Sequence, residues 1–298
     1  MSAALFGFAE SLGPAQALAA LLGMPCHPVE VSRFPDGESL VRVCGPADTA
    51  ILYRSLDHPN ERLVELVLAA AALRDGGCRK VVLVAPYLGY MRQDMAFRPG
   101  EAVSQKVIGA LLADHFDGLI TIDPHLHRIS HLGEAVPRIP ALALTAAPVL
   151  AAALAGHRPP PVLVGPDAES RPWVEAVAAP GGLDVLVGEK QRHGPRSVEI
   201  VIPGIAAVAG RPVVLVDDVI SSGGTLLAAA QLLRDAGAVR ISALATHCLA
   251  GPDDLARLAA AGIAPLQATT SVPGPAAILP IAGLLASALH DAGLLAGG

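Results

Sequence analysis

Short apolar runs rich in valine, isoleucine and leucine alternate along the chain with longer segments rich in alanine and leucine. The short runs contain almost no polar residues, which is typical of parallel strands that helices cover on both faces. The alternation therefore predicts the α/β class, with a mainly parallel sheet flanked by helices. The predicted strands are Val81–Ala85, Leu119–Ile122, Val162–Gly165, Val213–Val216 and Ile241–Ala245, and the predicted helices are Glu61–Asp75, Val103–Asp114, Arg171–Ala179 and Gly224–Ala236.

The strand–helix order occurs twice, so a chain of 298 residues is expected to form two similar domains. The segment between Pro137 and Pro148 is rich in proline and alanine and is the best boundary. We therefore divide the chain into residues 1–141 and 142–298. The terminal amphipathic segment Pro280–Leu295 is free to pack back on the N-terminal domain.

Composition excludes several classes of protein. Hydrophobic residues make up 52% of the chain and charged residues 16%, which is incompatible with intrinsic disorder. A net charge of −6 counts against a general nucleic-acid binder, which would present a basic face. The scattered cysteines, the absence of a signal-peptide pattern and the lack of a long apolar span lead us to expect a cytoplasmic protein with no membrane contact.

A phosphate-binding loop is predicted between the strand at Val213–Val216 and the helix at Gly224–Ala236. Small residues at a helix N-terminus let several backbone N–H groups converge on an anion. The two acids of the segment suit ribose hydroxyls or a metal ion. A turn with an acidic cap is the simpler alternative, but two acids, two apolar residues and a Ser/Gly/Thr loop in that order are more specific. The residues concerned are Asp217, Asp218, Ser221, Ser222, Gly223, Gly224 and Thr225.

This segment resembles the phosphoribosyl-diphosphate loop of the phosphoribosyltransferase fold. Four further segments occur in order along the chain, and with the loop they look like the ribose-phosphate pyrophosphokinase family. The resemblance implies two phosphoribosyltransferase-type domains, ATP and ribose 5-phosphate as substrates, and Mg²⁺ as cofactor. It also implies transfer of a pyrophosphoryl group to O1 of the ribose. The four segments are Arg33–Glu38, Val84–Asp94, Ile122–His125 and Val164–Asp167.

The tight-turn signature Pro35–Gly37 would by itself indicate a surface hairpin. The resemblance implies that Phe34, Asp36 and Glu38 form an adenine-binding arm that reaches the ATP site of a neighbouring subunit. Phe34 has a ring that stacks on a purine, and a carboxylate accepts a hydrogen bond from the exocyclic amine. The expected partner is therefore a second copy of the chain, in a homo-oligomer.

The remaining ATP-binding residues follow two predicted strands. Arg92 always carries a charge that suits the triphosphate, and Gln93 suits adenine or phosphate. The resemblance implies that His125 contacts ATP and that His125 and Asp167 hold the metal, although Mg²⁺ prefers oxygen ligands.

The segment Gly188–His193 is predicted to be a mobile loop between strands Val185–Val187 and Val198–Ile202. Lys190 and Arg192 match the paired basic residues of the family's catalytic flexible loop. As O1 of the ribose attacks the β-phosphorus, negative charge builds on the transferred group, and two cations closing over it stabilise that charge.

Two positions depart from the pattern that many members show. Ser221 stands where they carry an acid, as it does in some archaeal-type members, and Met95–Phe97 lacks their charged residues. Phe97 and the following Pro99–Glu101 look archaeal-like. The alternatives left open are a non-catalytic regulatory homologue and, on the loop alone, a phosphoribosyltransferase.

Overall fold

Two units of α/β structure make up the chain in a computed structural model that describes residues 2–126, 128–194 and 197–295. The first unit comprises Met1–Thr145 with Ile281–Gly298, and the second comprises Ala146–Pro280. The helices of the described residues are α1 Leu12–Leu22, α2 Pro59–Asp75, α3 Ser104–His115, α4 Ala147–Ala153, α5 Arg171–Ala178, α6 Gly224–Asp235, α7 Pro252–Ala260 and α8 Ala282–Asp291.

The first unit is built on a sheet with the order β3-β2-β1-β4-β5-β6-β7. Neighbouring strands are parallel except β2 and β3, which form an antiparallel hairpin. The terminal helix α8 packs against α1 and buries Leu285 and Leu289. The strands are β1 Ala3–Phe8, β2 Cys26–Arg33, β3 Ser39–Val43, β4 Thr49–Tyr53, β5 Lys80–Val84, β6 Gly118–Ile122 and β7 Ala141–Leu144.

The second unit contains a parallel sheet with the order β15-β14-β13-β12-β8-β9 and a separate two-stranded ribbon, β10–β11. Leu226 and Leu258, from α6 and α7, pack in one core cluster, while Leu150 and Val174, from α4 and α5, pack in another. The strands are β8 Val162–Gly165, β9 Val185–Val187, β10 Glu189–Gly194, β11 Ser197–Val201, β12 Pro212–Ile220, β13 Arg240–Cys248, β14 Ile263–Thr269 and β15 Ala277–Leu279.

The α/β class with mainly parallel sheets is confirmed, and each predicted strand and helix is present within a few residues of its expected bounds. The runs were readable because both of their faces are buried: Val81, Val82 and Leu83 have no solvent exposure. Within the described residues, no helix combines the length and apolar character needed to cross a bilayer.

Two local predictions are wrong. The segment Gly188–His193 is not a loop, since Glu189–Gly194 forms β10 and pairs with β11, whose β-branched residues offer it a partner strand. The strand at Val213–Val216 does not end before the two acids. It continues to Ile220 because β13 pairs with it as far as Cys248, so Asp217 and Asp218 lie within the strand.

Candidate active site

The loop at the end of β12 forms a concave cradle of about 110 Å³, lined by residues 217 and 219–226. Gly223 directly precedes α6 and has a left-handed backbone, with φ of +74°. A Cβ atom at Gly223 would lie 2.8 Å from both Cδ atoms of Leu258, so glycine is required for conformation and for space. The first N–H groups of a helix have no acceptor within it, which makes the cradle suitable for an anion.

Helix α7 holds this loop in place. The guanidinium of Arg257 donates a hydrogen bond of 2.5 Å to the carbonyl oxygen of Ser222, and the same nitrogen lies 2.9 Å from a carboxylate oxygen of Asp254. Arg257 was not among the residues predicted from the sequence. Arg257 and Ser222 are 35 residues apart in the chain, and no local sequence motif predicts their contact.

Three carboxylates gather beside the cradle. Asp167 follows β8, which pairs with β12, and Asp217 and Asp218 lie in β12 itself. Burial raises the pKa of Asp217 to about 8, and repulsion from Asp218 and then from Asp167 adds to this rise. The carboxylate of Asp217 accepts a hydrogen bond of 3.0 Å from the Asp218 amide, and that of Asp218 accepts one of 2.8 Å from the Val219 amide.

These carboxylates fit a magnesium ion chemically. They supply hard oxygen donors, and a cation would offset the repulsion that raises the pKa of Asp217. Among the residues that the structure describes, no group of three or more His, Cys, Asp and Glu side chains is gathered closely enough to hold a metal ion. The site therefore suits an ion that only one or two of these carboxylates contact, since Mg²⁺ commonly binds in that way and completes its shell with water and substrate phosphates.

The ribbon β10–β11 starts immediately beside Asp167. The amide of Gly188 donates a hydrogen bond of 2.8 Å to the carbonyl oxygen of Gly165. A Cβ atom on Gly188 would lie 2.4 Å from the carbonyl oxygen of Pro166, so the two backbones touch. In the ribbon, Lys190 is paired with Ile200 and Arg192 with Val198, while their side chains lie outside the described part of the structure.

In the first unit, the turn predicted at Pro35–Gly37 connects β2 to β3. The amide of Phe34 donates to the carbonyl oxygen of Glu38 at 2.8 Å, and that of Gly37 donates to the carbonyl oxygen of Phe34 at 2.9 Å. Asp36 accepts a hydrogen bond of 3.2 Å from the Glu38 amide. The Phe34 side chain at this tip is 49% exposed, which leaves an aromatic ring open to a ligand.

The loop after β5 carries Arg92 and Gln93, and the N-terminus of α3 braces it. The hydroxyl of Ser104 donates to Oε1 of Gln93 at 2.5 Å, and the amide of Gln105 donates to the Gln93 carbonyl oxygen at 3.2 Å. Arg92 is exposed. Tyr90 has a φ of +66°, which is a strained conformation for a bulky side chain.

The loop after β6 carries His125, which is half-buried, and it is tied to the loop after β5. The guanidinium of Arg128 donates to the buried carboxylate of Asp94 at 2.5 Å. Asp123 also has a positive φ, +36°. Strained residues cluster at functional sites, so their occurrence in both loops supports a ligand site at this sheet edge. The ion pair between Asp94 and Arg128 was not predicted.

Comparison with known proteins identifies two family models along the chain. Residues 3–115 match the model of the N-terminal domain of ribose phosphate pyrophosphokinase. Residues 138–257 match the model of the phosphoribosyl transferase domain.

Similar proteins agree with these models. The chain is 37% identical to a ribose-phosphate pyrophosphokinase of Methanopyrus kandleri, over 92% of this chain and 94% of that protein. It is 32% identical to one from Methanothermobacter thermautotrophicus, over 96% of this chain and 100% of that protein. A crystal structure of phosphoribosylpyrophosphate synthetase from Mycobacterium smegmatis superposes with a TM-score of 0.84 at 26% identity, covering 98% of this chain and 99% of that one.

Proposed function

The chain belongs to the ribose-phosphate pyrophosphokinase family, and we propose that the strand-end residues described above carry the reaction of that family. The protein is an enzyme of nucleotide biosynthesis that transfers the pyrophosphoryl group of ATP to O1 of ribose 5-phosphate. The products are phosphoribosyl diphosphate and AMP. The observation that carries the site assignment is the cradle at Ser221–Thr225, next to three carboxylates in a family member.

The cradle binds the 5-phosphate of ribose 5-phosphate. Backbone N–H groups at the start of α6 and the hydroxyls of Ser221, Ser222 and Thr225 donate to the phosphate oxygens. Asp217 and Asp218 accept hydrogen bonds from the ribose hydroxyls, because a carboxylate repels a phosphate but suits a hydroxyl donor.

Asp167, beside the cradle, is the proposed magnesium ligand. That His125 also binds the metal stays a prediction from the resemblance. Magnesium, when bound, neutralises part of the charge on the ATP phosphates. The oxygen donors beside Asp167 support this assignment, because they match the ligand preference of the ion.

The transfer itself breaks the bond between the α,β-bridging oxygen and the β-phosphorus and forms a bond from O1 of the ribose to that phosphorus. The hydroxyl proton of O1 is released to solvent. AMP leaves with the bridging oxygen. Lys190 and Arg192 stabilise the negative charge that develops on the transferred group. The contact between Gly188 and Pro166 supports this role, since it anchors the start of their ribbon beside Asp167.

On the ATP side, Arg92, Gln93 and His125 bind the nucleotide, and Phe34, Asp36 and Glu38 bind its adenine. Three strand spacings separate β2 from β5 in the sheet, which is about 14 Å. This distance supports an arm that serves a neighbouring copy rather than the loops of its own chain, and hence a homo-oligomer. The cytoplasmic location and the lack of nucleic-acid binding remain predictions.

The test is direct. The purified protein is incubated with ribose 5-phosphate, ATP and Mg²⁺, and the phosphorus species are followed by ³¹P NMR. We expect AMP and phosphoribosyl diphosphate to appear in equal amounts. ATP binding without turnover would instead favour the non-catalytic homologue. Release of pyrophosphate from added phosphoribosyl diphosphate that requires a base and no ATP would favour a phosphoribosyltransferase.

A further inference from the structure

Glu65, on α2, is a buried carboxylate that side chains from β2, from β3 and from the residue directly after β4 contact. The guanidinium of Arg54, which directly follows β4, donates to Oε2 of Glu65 at 2.6 Å. The Ser39 hydroxyl and the Arg33 guanidinium both donate to Oε1, at 2.9 Å and 3.2 Å. The Glu65 side chain is 3% exposed, so these hydrogen bonds replace its hydration.

Two of these donors flank the arm. Arg33 is the last residue of β2 and Ser39 is the first residue of β3, so the five residues between them are the whole of the arm. One oxygen atom of Glu65 therefore holds both ends of the turn that presents Phe34. The pairing of β2 with β3 joins these two ends to each other, and the hydrogen bonds to Glu65 attach both of them to α2.

The third donor fixes Glu65 itself. Arg54 is buried, donates to Glu10 at 2.8 Å, and has its guanidinium 3.8 Å from the centre of the Phe8 ring. Burial alone would raise the pKa of Glu65, but the hydrogen bonds from Arg54 and Ser39 and the nearby positive charge lower it below its ordinary value. Glu65 is thus an ionised group whose position is set by the core.

We propose that Glu65 is the positioning residue of the adenine-binding arm. It transmits the fixed geometry of the Arg54 site to the two ends of residues 34–38, and so sets where the Phe34 ring is presented. The inference rests on the proposed role of the arm in ATP binding. Glu65 does not touch the substrate in this assignment; it acts through Arg33 and Ser39.

The chain provides a matched control. Glu61 lies one turn earlier on α2 and contacts the same Arg33 guanidinium at 2.6 Å, but from the exposed side, where 67% of its side chain faces solvent. Exposed ion pairs contribute little to stability or geometry. Glu61→Gln removes a charge of the same sign from the same helix face and weakens only the exposed contact to Arg33, while the hydrogen bonds from Ser39 and Arg54 to Glu65 stay in place.

The first experiment compares steady-state kinetics of Glu65→Gln, Ser39→Ala and Glu61→Gln. We expect Glu65→Gln to raise the KM for ATP about tenfold and Ser39→Ala to raise it about threefold. We expect kcat and the KM for ribose 5-phosphate to stay within about twofold for both.

Ser39→Ala keeps the buried ion pair intact, so it tests the proposal even if Glu65→Gln fails to fold. An unchanged KM for ATP in Ser39→Ala, or equal effects of Glu65→Gln and Glu61→Gln, would overturn the proposal.

The second experiment separates this proposal from the function assigned to the arm. In a Phe34→Ala background, Glu65→Gln should add less loss than it causes alone, because the stacking ring is gone and only Asp36 and Glu38 remain to be positioned; fully additive losses would indicate a general structural role. Hydrogen exchange of the amides of residues 34–38 should accelerate in Glu65→Gln and not in Glu61→Gln. If Phe34→Ala leaves the KM for ATP unchanged, the arm assignment fails, whereas unchanged exchange in Glu65→Gln overturns the positioning role itself.

Discussion

The guanidinium of Arg257 lies 2.5 Å from the carbonyl oxygen of Ser222, so a side chain on α7 holds the backbone of the phosphate cradle. The residue that follows it, Leu258, fills the space beside Gly223. Adjacent residues of one helix therefore fix both the position and the glycine requirement of the loop. In this way the cradle is prepared before substrate arrives, which reduces the entropy lost on binding.

Replacing Arg257 should weaken ribose 5-phosphate binding. We expect Arg257→Gln to raise the KM for ribose 5-phosphate about tenfold, because a charged donor to the loop is lost, and to leave the KM for ATP within about twofold. Steady-state kinetics with each substrate varied in turn provide the measurement. Arg234→Gln, on α6, is the control, and a rise in both KM values for Arg257→Gln would indicate general disruption.

Gly223→Ala should remove the cradle more completely. The new Cβ meets Leu258 at 2.8 Å in a backbone conformation with φ of +74°, which alanine adopts only with strain. We expect kcat/KM for ribose 5-phosphate to fall at least about a hundredfold. Gly251→Ala, where no atom lies within 4 Å of the added Cβ, should keep kcat/KM within about twofold. Equal effects of the two changes would argue against the steric explanation.

Lys190→Ala tests the charge assigned to the ribbon. We expect kcat to fall about 10²–10³-fold with little change in the KM for ATP, because the charge it stabilises develops in the transition state. Lys106→Ala, on the exposed face of α3, controls for the loss of a lysine as such. An effect confined to KM would contradict a transition-state role.

Much of the fold was readable from the sequence because the central strands are buried on both faces, as in Val81–Ala85 and Val162–Gly165. The cradle was readable because its requirement for small residues is local. For Asp217 and Asp218, the pattern instead predicts positions past a strand end, since polar residues normally mark the end of a buried strand. Pairing with β13 determines where β12 ends, and this pairing joins segments that are distant in the chain.

The residues that hold the candidate site in place could not be predicted from the sequence, because their contacts also join segments that are distant in the chain. Arg257 and Glu65 look like ordinary charged positions on helices, and only the fold brings them to Ser222 and to the ends of the arm. The glycine at 188 looks like a turn residue, whereas its requirement comes from the backbone of Pro166. Motifs identify the groups that meet the ligand; tertiary contacts identify the groups that hold them.

Asp217→Asn should make stability less dependent on pH. The folded-state pKa of about 8 lies above the ordinary value of 3.8, so between these values the folded protein retains a proton that the unfolded chain has lost. Stability therefore falls as pH rises from about 4 to 8, and asparagine removes this fall. In magnesium-free buffer, we expect the variant's Tm to exceed that of the parent by several degrees at pH 8 and to match it near pH 4.

Once Asp217 is ionised, above about pH 8 or beside a bound cation, the same variant should handle ribose 5-phosphate poorly, because an amide then replaces a carboxylate acceptor. The gain in stability and the loss of activity would then come from one side chain, a trade-off expected of active-site charges. Unaltered kinetics would remove Asp217 from the site, and a Tm difference that does not vary with pH would contradict the raised pKa.

Gly109→Ala tests the packing of the first unit. A Cβ at Gly109, on α3, would lie 1.8 Å from the carbonyl oxygen of Ala135, so the helix or the segment at residue 135 must move. The backbone fixes the position of both the added Cβ atom and the Ala135 carbonyl oxygen, so no change of side-chain rotamer relieves the contact. We expect a loss of about 3 kcal/mol in the free energy of unfolding and a Tm lower by about 5–10 °C, measured by thermal denaturation.

Gly13→Ala is the matched control. Gly13 is also a helical glycine, but no atom lies within 4 Å of a Cβ added to it, and alanine favours a helix. Its Tm should stay within about 2 °C of the parent or rise. Equal destabilisation by the two substitutions would show that helix propensity, and not the approach of α3 to Ala135, governs the effect.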